Sequence, residues 1–465
     1  MACEQNTWRD IQETLSAAAP NEGCVFVLAR PSRGKDRVTV VFREAIWPEP
    51  GEVEASPNRL EISADYISRV LDAAIEKGSM TGAILVHTHP STKYCKGIGR
   101  FSPRDDWYEH RLFPCFTQGR NEAISGSIVL GSEPGEIDAR IWWSENDGLF
   151  MQPVNVVRVV GPEVRFLETQ HSEWADHLDP SIMDRSTRLW GREGRRILQN
   201  IRVGVVGAGG TGSIVLVSIA TMGVGKILAW DKDVLKKDNL HRTLGAKRSM
   251  VGLPKVKVLS EYAVTVATAD PIDIQGIQDW GTSNEGLRGL KDCDIIFCCV
   301  DKFAPRVPLN LLAYIHLIPV IDIASWIHPD PKTRIVDALM THAHVLSPGI
   351  PCAWCSGTLS SRRLTREAQG SQRDAEMRLP YGLSLEETDG EEPSVLPLNL
   401  TGAGLALILF IQVALRITER TPRDLKFILP QWELDESDLG NLSECECVKD
   451  IALGDTKKIR SVVHG

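Results

Sequence analysis

The chain has 465 residues, 43% of them apolar and 24% charged, with a net charge of -9. That length exceeds what one hydrophobic core usually serves, so two domains are the default. The acidic balance excludes a general nucleic-acid binder, which would show a basic face, and eleven cysteines, an odd count, fit thiols and a metal site in a reducing cytoplasm better than a disulfide framework.

The start, MACEQNTWRD, lacks the basic-then-apolar order of a secretory leader. The longest apolar run, residues 402–411, is too short to span a bilayer and reads as a buried helix, so no membrane role is expected. In chain order, residues 7–19 read as a helix carried by Trp8, Ile11 and Leu15. Residues 24–29 and 37–42 read as strands and 66–78 as a helix. Residues 82–90 read as a strand ending in a loop, and 124–130 and 138–143 as later strands. Together they make an α+β unit over residues 1–155. Residues 156–183 read as a polar connection whose first residues either extend the sheet or leave it. From residue 201 the rhythm becomes strand–helix alternation, with strands at 201–207, 226–231, 272–277, 294–300 and 318–324. That rhythm implies a doubly wound, Rossmann-like α/β domain over 184–465. Residues 356–394 are polar, charged and aperiodic, and read as a long mobile crossover loop.

His87 and His89 lie two apart at the end of an apolar strand. Alternate side chains share a face there, so both imidazoles can address one metal. Asp105 is a third donor, and three protein ligands leave the fourth zinc position open, as in catalytic sites. His-Thr-His-Pro followed by Ser102-x-x-Asp105 resembles the JAMM or MPN-type metalloprotease family, which cleaves isopeptide and C-terminal peptide bonds of ubiquitin-like proteins. The resemblance implies a catalytic zinc on His87, His89 and Asp105, with Ser102 at the oxyanion. It also implies a glutamate general base after the first helix, which is Glu22, with Glu44 as the alternative. The twelve residues between His89 and Ser102 exceed the family spacing, a surface insertion of low thermodynamic cost.

Gly207, Gly209 and Gly212 form Gly-x-Gly-x-x-Gly between a strand and a helix, a pattern that brings phosphate to backbone N–H groups at the helix N-terminus. Asp231 ends the next strand, placed to bind a ribose hydroxyl. Alone, these residues also fit a dinucleotide dehydrogenase. With Asp233, Asn239-Leu240-His241-Arg242, Pro254-Lys255 and Asp301 followed by Arg306, the order resembles the ubiquitin-activating, ThiF and MoeB superfamily. Those enzymes join ATP to the C-terminal glycine of a ubiquitin-like protein. The resemblance implies that Arg242 and Lys255 bind phosphate, that Asn239 lines the pocket with Asp231 and Asp233, and that Asp301 holds magnesium. Arg185-x-x-Arg188 resembles the superfamily's Arg-x-x-Arg, whose second arginine reaches the partner subunit's ATP, which implies a homodimer. Cys352 and Cys355, with Cys445 and Cys447, fit a structural zinc site of four thiolates.

The superfamily's thioester-forming members place a cysteine in the crossover loop. Beyond Gly357 this chain offers only Cys445 and Cys447. The acyl-adenylate is therefore expected to pass directly to a partner such as a conjugating enzyme. Ser394 is the alternative acceptor, and serine is a weak nucleophile without an activating base. The leading expectation is a bacterial-type fused processing and activating enzyme for a β-grasp, ubiquitin-like modifier. Activation of a sulfur-carrier protein for thiocarboxylate synthesis and a catalytically silent scaffold for ubiquitin-like tails are the alternatives.

Overall fold

The structure is a computed structural model that describes residues 1–91, 97–120, 122–146, 148–175, 184–329, 336–368, 394–420, 423–429, 431–436 and 445–463. The chain divides into two compact units. The first holds Met1–Trp174 with two short segments, Tyr314–Leu317 and Lys449–Lys458; the second holds Ala175–Ala313, Ile318–Val448 and Ile459–Gly465.

The first unit runs β1 (Ala2–Glu4), α1 (Gln5–Ala17), β2 (Cys24–Arg33), β3 (Val38–Ile46), β4 (Val53–Ser56), β5 (Arg59–Ile62), α2 (Ala64–Glu76) and β6 (Gly82–Thr88). It continues with α3 (Pro103–Thr117), β7 (Ser125–Leu130), β8 (Ile137–Glu145), β9 (Gly148–Pro153), β10 (Val156–Val160) and β11 (Val164–Glu168). β4 and β5 pair as a hairpin, and the other strands form one sheet in the order β11-β10-β1-β3-β2-β6-β7-β8-β9. The period of two in β2 decides the layers. Val25, Val27 and Ala29 pack with Trp8, Ile11 and Leu15 of α1 on one face. Cys24 and Phe26 pack with Tyr66 and Val70 of α2 and with Phe113 and Phe116 of α3 on the other. Helix α1 starts before the expected residue because the Glu4 side chain accepts the Asn6 and Thr7 N–H groups as an N-cap.

Residues 156–160 take the sheet-extending alternative, and residues 164–168 depart from the expected connection. β10 joins the sheet parallel to β1, and β11 pairs antiparallel to β10. Val157 and Val159 alternate into the core, which is why this stretch remains in the sheet. Residues 176–183 lie outside the described residues. The segment Lys449–Lys458 completes this unit from far along the chain. The Arg33 N–H donates to Asp455 Oδ2 at 2.8 Å. Gly454, at φ +52, approaches β2 so closely that a Cβ there would stand 2.4 Å from the Pro31 carbonyl oxygen.

The second unit runs α4 (Asp184–Asn200), β12 (Arg202–Val206), α5 (Gly210–Thr221), β13 (Lys226–Trp230), α6 (Lys255–Val266), β14 (Asp273–Ile277), α7 (Asn284–Leu290) and β15 (Ile295–Cys298). It continues with α8 (Arg306–Ile315), β16 (Val320–Pro329), β17 (Val336–Leu346), α9 (Ser361–Ala368), α10 (Leu396–Leu415), β18 (Asp424–Leu429) and β19 (Glu433–Glu436). The sheet order is β14-β13-β12-β15-β16-β17-β18-β19. Neighbours from β14 to β16 pair parallel, as the alternation predicts. β17, β18 and β19 add an antiparallel extension absent from the sequence reading. The strand order reverses between β12 and β15, and the crevice at their C-terminal ends is where such sheets bind ligands.

Two expectations change here. The apolar run 402–411 belongs to the longer helix α10, whose 20 residues are long and apolar enough to cross a membrane by length and composition. It is a core helix, packed on β16, β17 and α5. The polar residues that hide its length are bonded: the Thr401 hydroxyl donates to the Pro397 carbonyl, and Gln412 Oε1 accepts from Thr418. The expected crossover loop opens instead with helix α9; residues 369–393, including Ser371 and Ser384, lie outside the described residues.

Candidate functional site

In the first unit, β6 delivers His87 and His89 and the first turn of α3 delivers Asp105. His87 Nε2 is 3.4 Å from Asp105 Oδ1, and His89 Nε2 is 3.5 Å from Asp105 Oδ2. One donor atom from each residue fits within a common 4.8 Å, a set able to hold one metal ion. Ser102 is the N-cap of α3: its hydroxyl accepts the Asp105 N–H while the Asp105 carboxylate accepts the Ser102 N–H at 2.6 Å. This capping box locks the aspartate rotamer. Burial works to raise the Asp105 carboxyl. The His87 imidazole and the Ser102 groups outweigh it and hold it well below the usual carboxylate range.

Glu22 and Glu44 have different surroundings. Cys24 pairs with His87 across β2 and β6. Glu22, just before β2, therefore stands where the charges of His87, Asp105 and Arg104 act on it. Its carboxyl is raised, chiefly by burial. Glu44 instead bonds Arg30 at 2.8 Å and Lys77 at 3.1 Å. Burial raises it, but these two cations outweigh burial and lower it.

In the second unit, Gly207 turns with φ +93 at the end of β12. A Cβ on Gly212 would lie 1.9 Å from the Gly207 carbonyl oxygen, so only glycine lets α5 start this close to the loop. A Cβ on Gly209 would meet nothing, which leaves open space at the α5 N-terminus. Asp231 accepts the Ala208 N–H at 2.7 Å and the Asp233 N–H at 2.8 Å, tying the loop to β13. Lys255 Nζ bonds Asp233 Oδ2 at 2.9 Å. Asn239 is buried, with its side-chain oxygen on the Lys236 N–H and its carbonyl accepting the Arg242 N–H, so it shapes the Arg242 loop. Asp301 is exposed just beyond β15. Arg188 is exposed on α4, apart from this group in sequence and on its own helix. Arg306 does not join the exposed cations; it is buried, paired with Asp322 and bonded to the Val300 carbonyl at 2.7 Å.

Cys352, Cys355 and Cys445 bring their sulfurs within 4.8 Å of one another. Cys447 bonds Cys352, holding that thiol below its usual range while its own is pushed up. Thiolates are the form a metal takes.

Three residues were missed by motif reading. Asn310 on α8 donates to Cys447 Sγ at 3.5 Å and accepts the Ala353 N–H at 2.9 Å, joining both cysteine pairs. Glu367 on α9 accepts the Phe303 and Ala304 N–H groups at 2.9 and 3.0 Å, pinning the loop after Asp301. Asn399 on α10 donates to Ser394 Oγ at 3.1 Å and lies against Gly210, where a Cβ would stand 2.3 Å from its amide nitrogen. Ser394 is thus one side chain from the glycine loop. No local sequence signal marks any of the three, because each acts across the fold.

Comparison with known proteins bears on the second unit. Residues 183–367 match the model of the ThiF family. The SAMP-activating enzyme E1 of Haloferax volcanii is 28% identical over 167 residues, which cover 34% of this chain and 60% of that protein. The tRNA threonylcarbamoyladenosine dehydratase of Bacillus subtilis is 45% identical over 69 residues, covering 15% of this chain and 27% of that protein. The chain spans less than two thirds of the length of each. The solved structure of E. coli MccB with ATP is similar at a TM-score of 0.43 and 18% identity, over 58% of this chain and 74% of that one. Residues 183–367 are a ThiF-type domain of Rossmann-like α/β fold.

Proposed function

We propose that the second unit adenylates the C-terminal glycine of a β-grasp, ubiquitin-like or sulfur-carrier protein. The observation that carries this is the nucleotide cradle itself. There is open space at Gly209 before α5, the adjoining Ala208 N–H is bonded to Asp231, Lys255 is paired with Asp233, and Asp301 follows the neighbouring central strand. In the reaction a glycine carboxylate oxygen attacks the α-phosphorus of ATP and pyrophosphate leaves. The α5 N-terminal N–H groups, Arg242 and Lys255 stabilise the charge that develops on phosphate. Asp231 holds the ribose, and Asp301 supplies a carboxylate to magnesium, which neutralises phosphate charge when bound. Arg188 acts on the nucleotide of a partner subunit in a homodimer. The test is carrier-dependent ATP–pyrophosphate exchange; a nicotinamide dinucleotide bound tightly in place of ATP would overturn the reading.

The acyl-adenylate then passes to a partner such as a conjugating enzyme. Ser394 remains the acceptor to test against this hand-off, supported by its hydrogen bond to Asn399 beside the glycine loop. A carrier adduct stable to thiol but cleaved by hydroxylamine would support Ser394.

The first unit, in this proposal, is a zinc-dependent peptidase of JAMM type that trims or removes the same carrier. Its carrying observation is the convergence of His87, His89 and Asp105, whose donor set fits zinc. Zinc supplies Lewis acidity and an acidified water when bound. Glu22 takes the water's proton and returns it to the leaving amine, and the Ser102 hydroxyl donates to the developing oxyanion. Cleavage of a carrier fusion that survives Glu22→Gln would remove Glu22 from that role. The four cysteines fit a structural zinc in the second unit. Sulfur-carrier activation for thiocarboxylate synthesis is the second reading, favoured by a thiol-labile carrier adduct on Cys445 or Cys447. A silent tail-binding scaffold predicts neither exchange nor cleavage.

A further inference from the structure

The two histidines of the first unit are held differently from behind. A metal-ligating imidazole uses one nitrogen for the metal, and the hydrogen bond made by the other fixes its tautomer and orientation. His89 has such a bond: Nδ1 lies 3.2 Å from the Ile98 carbonyl oxygen and donates to it. That leaves the Nε2 lone pair facing Asp105. His87 is more deeply buried, 3% exposed, and its Nε2 also faces Asp105. Among the described residues its Nδ1 has no hydrogen-bond partner.

Glu109 lies one helical turn after Asp105 on α3, on the face that packs over β6, β7 and β8, and is 1% exposed. One oxygen, Oε2, accepts from Arg140 Nε at 2.7 Å and from Trp142 Nε1 at 2.8 Å. The other, Oε1, is buried without a partner among the described residues. The charge of this carboxylate acts on the His87 imidazole, and the buried Ser127 hydroxyl lies beside it. Glu109 Oε1 and His87 Nδ1, both buried and unpaired among the described residues, thus belong to α3 and to β6, a strand on which α3 packs. Each alone is costly, and one shared proton satisfies both.

We propose that Glu109 is the positioning residue of the peptidase-type site: its Oε1 accepts the Nδ1 proton of His87, directly or through one buried water, and so presents Nε2 to the metal. The inference rests on the zinc reading of His87, His89 and Asp105. Arg140 and Trp142 both hold Oε2 and so set the rotamer of Glu109; burial raises its carboxyl, and the Arg140 guanidinium opposes that rise. Glu109 touches neither metal nor substrate; it acts through His87.

The substitution Glu109→Gln is informative because it keeps shape while reversing polarity. An amide N–H aimed at Nδ1 would donate to it, placing the imidazole proton on Nε2, where the metal should bind. Zinc affinity is read by chelator competition on the full chain, with the cysteine-held zinc as internal reference and thermal unfolding as the check on folding. The expected result is a roughly 10–100-fold weaker hold on the histidine-site zinc, with the reference zinc unchanged. Trp142→Phe, which removes a bond only to Oε2, should change affinity much less. Histidine-selective nitrogen-15 labelling of the unsubstituted, zinc-loaded protein should show His87 protonated at Nδ1, whether or not the variant folds. A folded Glu109→Gln protein that holds zinc as tightly as the parent, or a His87 proton on Nε2, overturns the inference and leaves the zinc reading standing. A parent protein that loses no zinc on His89→Ala overturns both.

Discussion

The histidine group of the first unit joins donors on buried, packed elements, whereas the glycine-loop group of the second anchors Asp231 and Lys255 but leaves several of its charges exposed. His87 is buried on a central strand, and Asp105 is locked by the capping box of α3. In the cradle, the glycine loop is rigidly shaped, but Asp233 has a 53% exposed side chain and Asp301 and Arg188 lie in solvent. A metal needs donors fixed at short range. A polyanion brings its own charge, so its clamps stay in solvent, as Asp301 and Arg188 do, or paired, as Lys255 is with Asp233, which avoids burying unpaired ions. Substitutions in the first site should therefore affect ligand binding and local order together; those in the cradle should separate activity from stability.

The largest expected effect is His89→Ala, which should release the histidine-site zinc and abolish cleavage of a carrier fusion while adenylation stays within about twofold, since the two sites share no residue. Metal analysis that finds the same zinc content in variant and parent, after subtracting the cysteine-held zinc, would break the comparison at its first term. Next, Asp301→Ala should reduce ATP–pyrophosphate exchange by about 100-fold with an unchanged unfolding temperature, because the side chain is exposed. A large loss of stability would mean that the cradle is not the open kind of site described. Gly212→Ala should cost about 1–3 kcal/mol of stability and lose nucleotide binding, since its Cβ would sit 1.9 Å from a carbonyl oxygen; equilibrium unfolding and ATP titration check this. The smallest effect sharpens the first site. Glu44→Gln should retain cleavage at a stability cost of about 1–3 kcal/mol, because it takes the carboxylate from Arg30, whose side chain is 2% exposed, whereas Glu22→Gln should hold zinc and lose cleavage. The reverse pattern would reassign the base.

Much of this was legible in the chain because the informative residues are local. Gly207 to Gly212, Asp231 and Lys255 each sit at a strand end or helix start that periodicity identifies, and His87 and His89 announce themselves by spacing. What was not legible depends on distant pairing. β1 is three residues long and is the strand through which β10 joins the sheet, so the sequence left open whether residues 156–160 extend the sheet or leave it. The antiparallel β17–β19 extension has no alternation strong enough to see beside a parallel core. Arg306 entered the sequence reading only as a motif residue after Asp301, and its role, a buried pair with Asp322 on another strand, was not visible there. Glu109, Asn310, Glu367 and Asn399 have meaning only once helices pack on their sheets.

The measurement that bears most directly on the account is ATP–pyrophosphate exchange by the full chain with a glycine-ended β-grasp carrier. Exchange is predicted to require magnesium and the carrier's terminal glycine, to persist in His89→Ala and to fail in Asp301→Ala. Exchange without any carrier, or none with a panel of such carriers while a nicotinamide dinucleotide binds tightly, would contradict it.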